Sequence, residues 1–125
     1  DLYYAVRNNK DEWQKAQNLG PIINTHGSEV SPFFHHRFNV LYFSSNGQPL
    51  NFGDFDIYKA YKSGNTWREP KNIGPLVNGK GSEYYFTIDS QSNTLYYART
   101  SENKDLDLHS FPVPMEAQTK EARGT

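Results

Sequence analysis

The sequence predicts an all-β protein, and its composition and internal repetition both lead to this class. The 125 residues include 9 Tyr, 8 Phe and 2 Trp, whereas all hydrophobic residues together reach only 35%. Low aliphatic content with abundant Tyr and Phe is typical of strands rather than helices. The chain also repeats itself at an offset of 54 residues, and no segment has a helical hydrophobic period.

The repeat is clearest where residues 18–29 recur as residues 72–83. The two segments, NLGPIINTHGSE and NIGPLVNGKGSE, are identical at 7 of 12 positions and exchange one aliphatic residue for another at 3 more. The same offset pairs Trp13 with Trp67, and residues 41–43 (LYF) with 95–97 (LYY). Residues 1–3 (DLY) match 56–58 (DIY), which return as 107–109 (DLH) after a shorter connection. A unit of this length is close to the size of a propeller blade.

Each unit is predicted to contain short strands joined by turns rich in Gly and Asn. Residues 1–20 supply a partial blade with strands at 2–6 and 13–18. Residues 27–74 form a full blade with strands at 30–34, 40–44, 56–61 and 67–72. Residues 81–111 form a three-stranded blade with strands at 84–88, 94–98 and 106–111. Pro32 and Pro70 fall within predicted strands and indicate edges or strand ends, because Pro has no N–H to donate.

Four antiparallel strands per unit predict that residues 1–111 are part of a β-propeller. Residues 41–43 are apolar on both faces, as expected of a strand between neighbouring blades. The predicted strands make roughly two and a quarter blades, whereas a closed ring needs at least about four. We therefore expect the end faces, which include Tyr3, Tyr84 and Phe86, to be covered by further blades of a longer parent chain or by other subunits. The polar residues 112–125 are predicted to be a linker or tail.

Charge and composition exclude several classes of function. Lys and Arg number 13 against 14 Asp and Glu, a balance that argues against a nucleic-acid partner or a polybasic membrane surface. No apolar stretch approaches the roughly 18 residues of a transmembrane segment. Without cysteine there are no disulfides, thiolate metal sites or cysteine nucleophiles. The chain begins at Asp1, so we expect a mature product or a piece of a longer protein.

A combination of short motifs carries a family resemblance: EVSPF at 29–33, LYFSSNG at 41–47, GDFDIY at 53–58, then Trp67, Pro70 and NIG at 72–74. With them the chain resembles the WD-like β-propeller repeat of the TolB type, found in envelope proteins of Gram-negative bacteria. The last blade departs from this pattern at residues 84–86, 98–99 and 109. The resemblance implies a periplasmic or outer-membrane-associated protein, often with a peptidoglycan-binding domain like that of outer-membrane protein A, no residue of which is present here.

Two repeated residue pairs have both a chemical and a structural interpretation. Glu29 and Glu83 could be the two carboxylates of a glycoside hydrolase. Their equivalent blade positions favour instead a carboxylate that accepts hydrogen bonds from the preceding Gly-Ser turn. Trp13 and Trp67 could stack on sugars, but their shared place at the start of a fourth strand favours a structural wedge.

The remaining candidate groups match known sites poorly. His35 and His36, with His26 nearby, are awkward metal ligands because adjacent strand side chains point to opposite faces. Ser31, Ser44 and Ser45 lack the glycines of a nucleophile elbow, and residues 63–67 (SGNTW) lack the Asp and Ser that a sialidase aspartate box requires upstream. Oxygen ligands suited to Ca²⁺ follow no known calcium-loop spacing: Asn46, Asn51, Gly53, Asp54 and Asp56. We therefore predict no catalytic residue, no metal and no cofactor in this segment, and the ligand-binding residues stay unassigned.

The favoured function is a non-catalytic scaffold or binding module of a bacterial envelope protein, with proteins, glycans or peptidoglycan-associated proteins as partners. Two alternatives stay open. One is the propeller part of a glycoside hydrolase or serine peptidase whose active site lies outside this segment. The other is an oligomeric sugar-binding lectin.

Overall fold

The computed structural model describes residues 1–74, 78, 81–88, 94–100 and 106–112, and of residues 84–86 and 106 only the backbone. All regular structure in this part of the chain is β, which confirms the predicted class. The strands form three open antiparallel sheets in chain order. They are β1 (Tyr3–Tyr4), β2 (Gln17–Asn18), β3 (Glu29–His35), β4 (Val40–Ser45), β5 (Asp56–Ser63), β6 (Thr66–Trp67), β7 (Lys71–Asn72), β8 (Glu83–Ile88), β9 (Thr94–Thr100) and β10 (Leu106–Pro112).

The first sheet pairs β1 with β2 and is shorter than predicted, with two residues in each strand. A single bridge between Arg7 and Trp13 continues the pairing beyond β1. Between them the chain folds back in a tight turn, because the Asn8 side-chain oxygen accepts the N–H groups of Lys10 and Glu12. The predicted strands 2–6 and 13–18 are therefore reduced to short paired segments.

The second sheet has the order β3-β4-β5, with β6 and β7 both pairing with β5. The fourth strand predicted at 67–72 is thus divided in two, which makes ten described strands rather than nine. Pro70 lies in the gap between β6 and β7, where it has no N–H for the ladder. Pro32 follows Ser31, whose φ of 54° marks the register shift of edge strand β3.

The third sheet, in the order β10-β9-β8, repeats the register of the second sheet. Its own register shift falls between Tyr84 and Thr87, at the repeat positions of Val30 and Phe33. Residues 54 positions apart in the second and third sheets thus have equivalent cross-strand partners. The pairs Glu29↔Ser45, Phe34↔Leu41 and Phe43↔Tyr58 recur as Glu83↔Arg99, Ile88↔Leu95 and Tyr97↔His109.

The second sheet is buried on both faces, and every residue of β4 is buried. We call one side the N-face because it packs with Leu2 and Ile23 of the first unit; it carries Leu41, Phe43, Tyr58 and Ala60. We call the other side the C-face because it packs with Ile88, Leu95 and Tyr97 of the third sheet; it carries Val40, Tyr42, Ile57 and Tyr61. The prediction that residues 41–43 lie between two flanking layers is confirmed.

The outer faces of the first and third sheets are exposed where the second sheet is covered. Leu108 is 79% exposed, whereas its repeat equivalent Ile57 is fully buried. At the other end Tyr3 is 60% exposed against 1% for its equivalent Tyr58, as predicted. The predicted exposure of the Tyr84 and Phe86 side chains lies outside the described residues, as do residues 113–125 of the predicted linker. Among the described residues, no helix has the length and apolar character that crossing a membrane requires.

Ile57→Ala should reduce the free energy of unfolding by about 2–5 kcal/mol, because a fully buried Ile is replaced between two packed sheets. Leu108→Ala is the matched control, since Leu108 occupies the same register position but is 79% exposed. It should cost less than about 1 kcal/mol. Urea unfolding of both variants, at a concentration where the chain is monomeric, checks this. Equal losses would contradict the described packing.

Candidate functional site

Two networks of polar side chains, each centred on a buried asparagine, join successive units. In the first, the Asn24 side chain accepts the Leu2 N–H at 2.6 Å and donates to the Leu2 carbonyl at 2.9 Å. It also donates to the Asn18 oxygen at 2.7 Å, and Asn18 in turn donates to Asp1 at 2.9 Å. We call Asp1, Asn18 and Asn24 the first asparagine bracket. It ties β1 to the segment that leads into the second unit.

The second asparagine bracket consists of Asp56, Asn72 and Asn78, and it repeats the first. Asn78 accepts the Ile57 N–H at 2.7 Å and donates to the Ile57 carbonyl at 2.9 Å and to Asn72 at 2.7 Å. Asn72 donates to Asp56 at 3.1 Å. Asn78 is 1% exposed, so these bonds form away from water.

A glycine in the left-handed conformation follows the first asparagine of each bracket. Gly20 has φ 96° and Gly74 has φ 103°, values that favour residues without a Cβ. Each donates its N–H to the bracket asparagine before it, Asn18 or Asn72, at 2.7 and 2.8 Å. The Asn-x-Gly sequence is thus a turn with the same geometry in both units.

Glu29 is a buried structural carboxylate, 3% exposed. It accepts the Thr25 N–H at 3.1 Å, the Thr25 hydroxyl at 2.5 Å and the Ser45 hydroxyl at 2.8 Å. The sequence prediction of hydrogen bonds from the Gly27-Ser28 turn is corrected here, because the observed donors are Thr25, which precedes that turn, and Ser45 of β4. Both carboxylate oxygens serve in these bonds, which supports the structural interpretation of this residue.

Glu83 is the repeat equivalent of Glu29, but its carboxylate is paired with a cation. It is fully buried, and its carboxylate lies 3.6 Å from the Arg99 guanidinium. Arg99 stands where Ser45 stands in the second sheet, and the sequence has Gly79 where the second unit has Thr25. Arg99 thus places a cation at the position from which the Ser45 hydroxyl donates to Glu29 in the second sheet.

Asp56 is fully buried and its carboxylate is already occupied. It accepts the Phe52 N–H at 2.5 Å, the Gly53 N–H at 3.2 Å and the Asn72 amide at 3.1 Å. Asp54 is exposed, and its backbone N–H donates to the Gly81 carbonyl. The Asp56 carboxylate is therefore used within the fold and is not available as a calcium ligand beside Asp54. In the described part of the chain, no three His, Asp or Glu residues are grouped to hold a metal ion.

The three candidate histidines are kept apart. His35 is half-buried against the rings of Phe33 and Phe38, whose centroids lie 6.4 and 4.9 Å away. His36 is exposed and lies edge-on to Phe34 on the other face. His26 lies at a separate cleft described below. His36 lies in the turn just after β3, and the two imidazoles pack against different faces, as the sequence argument expected.

Burial lowers the pKa of the His35 imidazole below its ordinary value of 6.5, and the nearby Arg37 charge lowers it further. Its neutral form is therefore the one that the folded state favours.

The two tryptophans differ in their surroundings. Trp67 is half-buried and lies edge-on to Phe34 with ring centroids 6.1 Å apart, which supports a wedge between β6 and β3. Trp13 is 68% exposed and has the Arg7 guanidinium over its ring. The structure therefore supports a wedge at Trp67 only.

The candidate serine nucleophiles of β4 are also used in packing. The Ser44 hydroxyl donates to the Glu83 carbonyl of the third sheet at 2.6 Å. The Ser45 hydroxyl donates to Glu29. Both are fully buried, so neither is placed to attack a substrate.

Among the residues that the structure describes, two open clefts lie near the connections between units. The larger, of about 760 Å³, combines an apolar wall of Pro21, Ile22 and Pro49 with exposed His26 and Glu69. Its floor includes Gln48, whose amide donates to the Ile23 carbonyl at 3.0 Å. The smaller, of about 360 Å³, is lined by Asn46, Asn51, Gly53, Asp54, Phe55 and Ser82. Such clefts can hold a ligand by mixed polar and apolar contacts.

Sequence reasoning missed the role of the asparagines and the larger cleft. The signal for the brackets was present, because Asn18 and Asn24 recur unchanged as Asn72 and Asn78 while the aliphatic residues between them are exchanged. A polar residue kept between repeats indicates a shared hydrogen-bonding role. The cleft has no such signal, since its walls come from separate loops.

Comparisons with protein-family models, with curated proteins and with solved structures found no match for this chain.

Asn24→Ala should lower the free energy of unfolding by about 1–3 kcal/mol, because the Leu2 N–H then stays buried without its partner, while the Leu2 carbonyl keeps the Leu19 N–H. Asn78→Ala should have a similar effect through Ile57. Asn65→Ala is the control, since Asn65 is exposed in the turn between β5 and β6. Chemical unfolding measures all three. A loss at Asn24 or Asn78 no larger than at Asn65 would show that the brackets are dispensable.

Stability should fall as the pH is lowered from 7 to 5, in part through His35. Because folding lowers the His35 pKa, its stabilising contribution is complete above its unfolded value of 6.5 and is lost as the pH falls through the folded value. His35→Gln should therefore flatten the dependence of the melting temperature on pH. A His35→Gln profile as steep as that of the wild type would reject this assignment.

Proposed function

We propose that this chain is a segment of a β-propeller that serves as a non-catalytic scaffold and binding module of a bacterial envelope protein. One observation carries the proposal: several of the acidic and polar residues that recur between units are buried and hydrogen-bonded within the fold. Glu29, Asp56 and Asn78 are each less than 4% exposed. Residues committed in this way hold a scaffold together rather than act on a substrate.

The packing of the second sheet supports the propeller interpretation. In a sandwich of two sheets, each sheet buries one face and exposes the other. The second sheet instead buries both faces, against the first unit on one side and the third sheet on the other. Consecutive four-stranded blades of a propeller are packed face to face in this manner.

The motifs behind the family resemblance coincide with the structural networks. Glu29 and Ser45 hydrogen-bond across β3 and β4. Asp56, Asn72 and Asn78 form the second bracket. These residue types at these positions therefore have a physical reason, which supports a repeat of the TolB type and, through it, an envelope location.

Binding would use the surface that these networks leave free. The larger cleft places an apolar wall beside the exposed His26 imidazole and Glu69 carboxylate. A protein loop or a glycan offers the matching mixture of apolar and hydrogen-bonding groups. The scaffold would hold such a site rigidly through the first bracket, since Asn24 lies in the cleft wall.

Glu29→Gln should lower stability by about 1–3 kcal/mol, because an amide cannot accept all the bonds that the buried carboxylate accepts. Glu12→Gln, at an exposed glutamate, should leave stability unchanged. Thermal unfolding is measured beside the turnover of a panel of aryl glycosides and peptide nitroanilides. We expect no turnover above the blank. Turnover that Glu29→Gln abolishes without a change in melting temperature would refute the non-catalytic function.

The envelope location has its own test. An antibody against this chain should detect the native protein in the periplasmic or outer-membrane fraction of the source cells. Recovery in the cytosolic fraction alone would contradict this part of the proposal.

A further inference from the structure

The C-face of the third sheet exposes two large apolar side chains whose counterparts in the second sheet are covered. Tyr96 is 41% exposed and Leu108 is 79% exposed. Their equivalents in the second sheet, Tyr42 and Ile57, are both fully buried under the third sheet. The register of the two sheets is the same. The difference in exposure therefore arises because the third sheet packs on the C-face of the second sheet, and not from the strand pairing itself.

The two internal junctions follow one rule. Leu2, the equivalent of Ile57, packs on the N-face of the second sheet near Tyr58. Ile57 and Tyr42 of the C-face pack on Leu95 and Tyr97, which lie on the N-face of the third sheet. In both junctions the C-face of one unit meets the N-face of the next. The occupant that fits the exposed C-face is therefore another N-face of this repeat.

The chain carries an uncovered N-face at its other end. Tyr3 is 60% exposed, and Trp13 on the same short sheet is 68% exposed. Their equivalents Tyr58 and Trp67 both belong to the packed N-face of the second sheet. The two outer surfaces of one chain thus have the chemistry of the two sides of an internal junction.

The third sheet also has an open edge among the described strands. In the second sheet, β5 is paired on one side with β4 and on the other with β6 and β7. Its equivalent β10 pairs, among the described strands, with β9 alone. An edge of this kind accepts a further strand.

We propose that the C-face of the third sheet docks on the N-face of the first sheet of a second copy of this chain. The contact is head to tail and heterologous, so successive copies add in one direction and close into a ring when the rotation permits. Leu108 of one copy meets Tyr3 of the next, as Leu2 meets Tyr58 within the chain. This inference rests on the proposed scaffold function and names the partner of its outer face.

Sedimentation equilibrium of residues 1–125 across the micromolar range tests the association. The wild-type chain should associate with rising concentration, and Leu108→Lys should lower the association constant at least about tenfold. Leu50→Lys is the matched control: Leu50 is 58% exposed, but it lies in a loop outside both faces. It should associate like the wild type. A wild-type chain that stays monomeric, or a Leu108→Lys variant that associates equally well, overturns the proposal.

Disulfide trapping tests the head-to-tail direction. The natural chain has no cysteine, so a Leu108→Cys variant mixed with a Tyr3→Cys variant reports on one contact. We expect mixed disulfide dimers to form faster than dimers of either variant alone. A preference for Leu108→Cys homodimers would mean that C-face meets C-face and would overturn the head-to-tail contact.

Circular dichroism of each variant separates loss of association from loss of folding. A folded monomeric wild type overturns the copy-to-copy contact and leaves the scaffold function standing. The scaffold function fails on a different result, the loss of turnover in Glu29→Gln at unchanged stability.

Discussion

The rest of the structure depends on the burial of both faces of β4. A strand whose every side chain is buried can exist only between two other layers, and here these are the first unit and the third sheet. Each large apolar side chain removed from water in this way contributes about 1.5–3 kcal/mol. The second sheet therefore cannot form a stable module by itself. The 54-residue repeat provides the units that pack on its two faces.

Apolar faces alone do not fix the angle or distance between successive sheets, and the asparagine brackets do this. Asn24 holds Leu2, and Asn78 holds Ile57, by the same pair of backbone hydrogen bonds. Each bracket holds a C-face residue, Leu2 or Ile57, against the segment that leads into the next unit. Because such bonds are directional and buried, they set the geometry in which the C-face meets the following N-face.

Much of this arrangement could be predicted from the sequence. The strand positions in the second and third units follow from the alternation and the turn residues, and the two-sided burial of residues 41–43 follows from their apolar character. The division of the fourth strand at Pro70 and the short pairing of β1 with β2 were not predicted, since both depend on where partners for the ladder are available.

The candidate site shows where sequence reasoning ends. It identified Glu29 as a structural carboxylate but assigned the donors to the wrong residues, because Thr25 reaches it from the loop before β3 and Ser45 faces it across the pairing of β3 with β4. The exchange of a neutral donor at Ser45 for a cation at Arg99 was visible only as a departure from the motif. Hydrogen-bond partners across strands depend on register, which a single sequence does not specify to the residue.

Amide hydrogen exchange of the dilute, monomeric chain tests the central claim most directly. If β4 lies between two packed layers, its amides should exchange only through global unfolding and be the slowest in the protein, while those of β10, with one exposed face, exchange through smaller openings. Amides of β4 that exchange as fast as those of β10 would contradict the burial of both faces on which this account depends.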